Sequence, residues 1–178
     1  VAQTAERHRT DLASHFYVVM LAHGEAAQFL SHEEVKTRLS RSMENWITNL
    51  YNGSDAADIQ SVIAHQTRIG EVHARVSIPV HLVLRGARLL KQRLISHLRE
   101  ELPERQAAEA GAFAATLIDL AMEIMSHAYT TSHDRRSRAE ESYRLFAVTQ
   151  NIASEKERQR AALLDWENQL MFEVAMST

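Results

Sequence analysis

Cysteine is absent, so disulfides and thiolate chemistry are excluded, which suits a cytoplasmic protein. Proline occurs only 2 times and glycine 5 times in 178 residues. So few breakers leave little room for the turns of an all-β fold. No apolar run approaches the ~18 residues of a membrane span. No signal peptide opens the chain. Positive charge is not in excess: 20 Lys and Arg stand against 23 Asp and Glu, a net charge of −3. A nucleic-acid surface, which wants a basic stripe, is therefore not expected. Also missing are an HExxH zinc motif, a Glu-x-x-His pair for a di-iron bundle and a Gly-rich phosphate loop. Nothing in the sequence looks like a site for making or breaking covalent bonds.

What the sequence does have is helical period. Hydrophobic residues make up 45%, enough to bury a core. They recur at three- and four-residue steps, so the expected fold class is all-α. Residues 4–22 carry Leu12, Phe16, Val19, Met20 and Ala22 at this spacing, and Gly24 is expected to end that helix. Ser31 with Glu34 reads as a capping box opening a second helix, whose face holds Val35, Leu39, Met43, Trp46, Ile47 and Leu50. Asn52-Gly53-Ser54 reads as a turn. A third helix is expected from Asp55 or Ala56 through about Ser77, where Pro79 stops it. A fourth runs from Pro79 to Leu102 and a fifth from Glu104 to Thr130.

The fifth is apolar on two sides. Phe113, Leu117, Leu120, Ile124 and Ala128 lie on one, and Ile118, Ala121, Met122 and Met125 on the other. That predicts burial between the core and a second subunit. Ser132–Arg138 (SHDRRSR) reads as a solvated break, and Ala139–Val174 as one long helix ending on Leu163, Trp166, Leu170 and Val174, near a heptad seam. The expected domains are 1–132, compact, and 133–178, a linker helix. Val1 in place of Met predicts a fragment trimmed at its N-terminus.

Most of the ten histidines sit in polar settings, as at His8, His23, His32 and His133, where a surface role is the default. His73 has three features of a metal ligand. Gly70 lies one turn before it; a helical glycine costs about 1 kcal/mol relative to Ala, so it answers a need for close approach, such as a flat macrocycle against the helix. Ile69, Val72, Val76 and Val80 make apolar surroundings that keep an imidazole neutral. The second ring nitrogen needs a fixed acceptor, and the carbonyl of Ile69 is the candidate. A satisfied core or surface histidine is the other reading. Tyr17, in HFYVVML, also has two readings: a core phenol bonded to a backbone carbonyl, or an O–H donor to a bound gas. Leu39, Ser42 and Met43 share a helix face; Leu39 and Met43 would exclude water, and Ser42 would add a second hydrogen bond.

HFY at 15–17, LSHEEVKTRLSRSMENWI at 30–47 and RIGEVHARVSIPVHLVL at 68–84, in this order and spacing, resemble the globin-coupled sensors. The VHAR-x2-IPV stretch and the later run EESYRLF…EKERQ…LLDWE are similar to the oxygen-sensing diguanylate cyclases in particular. The resemblance covers essentially the whole chain. It implies a globin fold holding haem b, with His73 as the proximal iron ligand, Tyr17 as the distal tyrosine, Leu39 as a distal leucine and Ser42 as a second hydroxyl. Met43 would join these, and Phe16, Trp46, Ile69, Gly70, Val76 and Val80 would line the rest of the haem pocket. The implied ligands are O2, CO and NO. The implied partner is a second copy, through helices at about 79–102 and 104–130, with no nucleic acid and no membrane. Two departures stand out: most of the first globin helix is missing, and no GGDEF motif of a cyclase occurs. The chain itself is therefore expected to be the sensing half rather than an enzyme, with residues after 132 leading toward a cyclase that makes cyclic di-GMP.

An alternative from another class is a cofactor-free helical module that dimerises and relays a signal. A haem enzyme acting on nitric oxide is a third, but it needs a reductase partner that nothing in this chain supplies.

Overall fold

The computed structural model describes residues 1–30, 33, 38–52 and 56–176, excepting the side chains of 56, 57, 170 and 173–175. Among the described residues every regular element is helical. The helices are α1 (Ala2–Leu21), α2 (Gly24–Ala27), α3 (Ser40–Tyr51), α4 (Ala56–Arg75), α5 (Val80–Glu101) and α6 (Glu104–Met176). The capping box at Ser31 and Glu34, Val35, and Gly53-Ser54 of the expected turn lie outside the described residues.

Two compact units are distinguished, Val1–His133 and Asp134–Thr178. In the first, the face expected of α1 is buried at Leu12 and Met20, half-buried at Phe16 and Val19 and exposed at Ala22. Leu12, Ala13, Tyr17 and Met20 form the buried side of α1, which packs on α3 and α5. Trp46, Ile47 and Leu50 of α3, Leu90, Leu94 and Leu98 of α5, and Ile118, Met122 and Met125 of α6 complete the core. Each fully buried leucine contributes about 1.5–3 kcal/mol. In the second unit the described side chains are exposed apart from a half-buried Ala147.

Two expectations about helix ends are corrected. Gly24 does not cap α1: the cap is Ala22 in right-handed geometry, His23 takes the extended backbone that turns the chain, and Gly24 opens α2. Ser132–Arg138 is no break, because α6 runs through it. Polarity excludes burial, not helix. The segment has neither Gly nor Pro, its arginines are good helix formers, and Arg136 pairs with Glu140 one turn on at 2.9 Å.

A polar clasp joins α1 to α5. Asp11 accepts from Arg93 Nε at 2.8 Å and Nη2 at 3.0 Å, and pairs with His97 Nε2 at 2.7 Å. Glu101 pairs with His8 Nε2 at 2.8 Å and accepts from Thr4 at 2.8 Å and Arg7 at 2.6 Å. The His8 and His97 rings stack at 3.8 Å. The Arg93 guanidinium holds the Asp11 carboxyl well below its usual range. The bonds from His8 and Thr4 bring Glu101 down to about 2. A carboxylate whose folded pKa is depressed stabilises above its unfolded value and loses that contribution as pH falls through the folded one. The urea midpoint is therefore expected to fall as pH drops from about 4.5 toward about 2. Glu101→Gln should flatten that window; an unchanged profile in the variant would remove Glu101 from the clasp.

Gly70 marks a close approach of α4 to α6. A Cβ there would collide with the carbonyl oxygen of Met125 and sit 3.0 Å from the Ala128 Cβ. The close approach expected at this glycine is thus met by a helix rather than by a macrocycle. Because the obstacle is backbone, Gly70→Ala should lower unfolding stability by about 1–3 kcal/mol, although alanine is the better helix former. Denaturant titration checks this, and a stabilised variant would contradict the packing account.

Candidate functional site

An apolar cavity of about 280 Å³ opens inside the first unit, between α1, α3, α4, α5 and α6. Phe16, Tyr17, Leu39, Ser42, Met43, Trp46, Ile69 and His73, all singled out from the sequence, line it. Leu82, Val83, Gly86, Ala87 and Leu90 add one side of α5, and Met122 and Met125 add α6.

His73 occupies the last turn of α4. That turn closes in a Schellman motif. The Ile78 N–H bonds the His73 carbonyl at 3.0 Å, the Ser77 N–H bonds the Ala74 carbonyl at 3.1 Å, and Ser77 holds the left-handed φ of 58°. Ile78 and His73 both line the cavity. The helix therefore stops at Arg75 rather than Ser77. Burial pushes the His73 pKa below its ordinary value, so the ring is neutral near neutral pH. Its Nδ1 is buried and, among the described residues, has no hydrogen-bond partner. The expected bond from this nitrogen to the Ile69 carbonyl is therefore not made.

Tyr17 is buried, and among the described residues its hydroxyl makes no hydrogen bond. Loss of solvent pushes its pKa up to about 12. Tyr51 shows the other fate of a buried phenol: its O–H donates to the Ala114 carbonyl at 3.1 Å. Trp46 donates its indole N–H to Gln66 Oε1 at 2.7 Å, tying α3 to α4. Gln66 is almost wholly buried, and no periodicity in the sequence marks it as Trp46's partner. Ser42 lines the cavity while its hydroxyl donates to the Arg38 carbonyl at 3.0 Å.

Three expected lining residues do not line the cavity. Gly70 lies under α6. Val76 and Val80 are 51% and 38% exposed. The Schellman turn breaks the helical period between them, so the face that Ile69 and His73 share does not continue.

Among the described residues no three His, Cys, Asp or Glu side chains converge as a metal-binding group. One neutral imidazole in an otherwise apolar cavity suits an iron whose other in-plane ligands come from a macrocycle. A helical fold around such a cavity, with a histidine on one helix and a tyrosine on another, is the arrangement expected of a globin.

The chain belongs to the protoglobin family, whose pattern matches residues 1–135. It is 34% identical over 178 residues to the diguanylate cyclase DosC of Shigella flexneri, covering 99% of this chain and 46% of that protein. Identity to DosC of Escherichia coli (strain K12) is also 34%, covering 99% of this chain and 38% of that one. The chain thus spans less than half the length of these curated relatives. Its fold resembles the ferrous globin domain of E. coli DosC, with a TM-score of 0.66 at 33% identity, over 71% of this chain and 85% of that one. It also resembles the globin domain of the Geobacter sulfurreducens globin-coupled sensor, with a TM-score of 0.63 at 25% identity, over 72% and 83%. Membership of a globin family implies haem binding. The cavity fits that group, with a buried neutral imidazole and apolar walls. No helix among the described residues is long and apolar enough to cross a membrane.

Proposed function

We propose that this chain is a haem b-binding, O2-sensing domain that controls a diguanylate cyclase in its parent protein, in a cytoplasmic setting. One observation carries the reading: a neutral imidazole and an unpartnered phenol, His73 and Tyr17, open on a single apolar cavity. When bound, haem would supply an iron able to take O2, CO or NO. His73 would hold that iron, its neutral state leaving a ring-nitrogen lone pair available. Tyr17 offers its O–H to a gas ligand, and Leu39 and Met43 exclude water from it. Ser42 accepts or donates a second hydrogen bond once its link to Arg38 is released. Phe16, Trp46 and Ile69 supply apolar wall.

A homodimer through α5 and residues 104–130 of α6 is part of the reading. Its support is apolar surface left open there: Leu84, Phe113 and Leu120, the last two 56% and 48% exposed. Residues 133–178 would carry the signal onward, and the support is that the relatives matched over the same stretch are diguanylate cyclases. Gas binding can bias that output only by its differential affinity for two conformations.

The test is the visible absorption spectrum of the purified protein produced with ample haem. A strong Soret band that shifts with O2 is expected. A colourless protein would leave the cofactor-free relay module in its place. Rapid turnover of nitric oxide with a reductant would point instead to a haem enzyme.

A further inference from the structure

Phe16 stands between Tyr17 and α5. Its ring meets the Tyr17 ring edge to face, with centroids 5.0 Å apart and planes at 84°. On its other side it lies against Gly86, where a Cβ would fall 2.5 Å from Cε2 and 3.3 Å from Cζ of the ring. The Phe16 ring thus occupies the room that the missing side chain leaves. The backbone does not demand glycine here: position 86 lies inside α5, and no described glycine has positive φ. In a helix interior glycine is the poorer former, so its presence answers a need of packing. Among the described residues the Tyr17 hydroxyl has no hydrogen bond to orient it. Ring packing is left to do so, and Phe16 is the ring it packs on.

We propose that Gly86 is a positioning residue for Tyr17: by lacking a side chain it seats Phe16 flush on α5, and Phe16 sets the direction of the Tyr17 hydroxyl into the cavity. This rests on Tyr17 being the donor to the gas ligand. A methyl group at 86 drives the Phe16 ring toward Tyr17 and turns the hydroxyl away.

The experiment uses the haem-loaded protein and four variants: Tyr17→Phe, Gly86→Ala, Phe16→Leu and the double variant Phe16→Leu/Gly86→Ala. Two quantities are read, the O2 dissociation rate and the C–O stretching frequency of the CO complex, which reports the donor facing the ligand. Gly86→Ala is expected to speed O2 release roughly fivefold, the loss of one ordinary hydrogen bond, and to move the stretch in the same direction as Tyr17→Phe. In the Phe16→Leu background the same alanine should change neither, because the ring it displaces is gone. The proposal is overturned if Tyr17→Phe moves both quantities and Gly86→Ala moves neither, or if the alanine acts equally in both backgrounds. If Tyr17→Phe itself moves neither, the donor reading fails and takes the proposal with it. Should Gly86→Ala not fold, Phe16→Leu decides: a shift of both quantities toward Tyr17→Phe supports the proposal, and wild-type values overturn it.

Discussion

His73→Ala is expected to yield protein without a Soret band, or with haem so loosely held that it is lost on a sizing column. The reason is that the cavity has no substitute. Its other walls are almost all hydrocarbon, and among the described residues no group of His, Cys, Asp or Glu stands ready as a metal site. Removing even a residue that only supports a metal ligand costs 10–100-fold in affinity as a rough guide, so removing the ligand itself should cost more than about 100-fold. Burial depresses the His73 pKa, and truncation to alanine leaves space where the ring lay. Free imidazole added to the variant should therefore restore the band. Normal five-coordinate haem in His73→Ala without added imidazole would end the ligand assignment.

Tyr17→Phe should speed O2 dissociation with little effect on that of CO. The phenol proton is secure, since burial pushes the pKa up to about 12. Among the described residues the hydroxyl has no protein partner to abandon, so its bond to a ligand replaces none of theirs. A neutral hydrogen bond of about 1 kcal/mol gives roughly a fivefold effect. If the ligand carries partial negative charge, about 2 kcal/mol or more gives roughly 30-fold or beyond. CO develops less charge and serves as the control. The sign with pH follows from the raised pKa: the wild-type rate should stay flat from about pH 6 to about 10 and rise only as the phenol ionises near 12. Stopped-flow rates decide. Equal O2 rates in wild type and variant would return Tyr17 to a purely structural role like that of Tyr51.

The helices were legible because burial on one side of a helix writes a period of three and four into the residues. Leu39, Met43 and Trp46 were found by that rule, Tyr17, Ile69 and His73 by their local setting and the family resemblance, and all six meet at one cavity. Gly70 was legible as a close approach, but a missing side chain says only that something comes near. Met125 and Ala128, more than fifty positions away, supply the neighbour. Val76 and Val80 were misjudged because Ser77, a residue with no special turn signal, takes the left-handed conformation and ends α4 early. Ser132–Arg138 was misjudged because charge was read as a break where only Gly or Pro would have made one.

By itself, the order of residues determined an all-helical chain with a neutral-histidine candidate on its third long helix and a tyrosine candidate on its first. Helical period is local, each turn being set by residues three and four apart, so it survives in one dimension. Tertiary structure alone decided that Gly70 serves a helix crossing, that Gln66 holds Trp46 and that Phe16 rests on Gly86 beside Tyr17. Those pairings join residues twenty to seventy positions apart, and only the packing of whole helices brings them within contact distance.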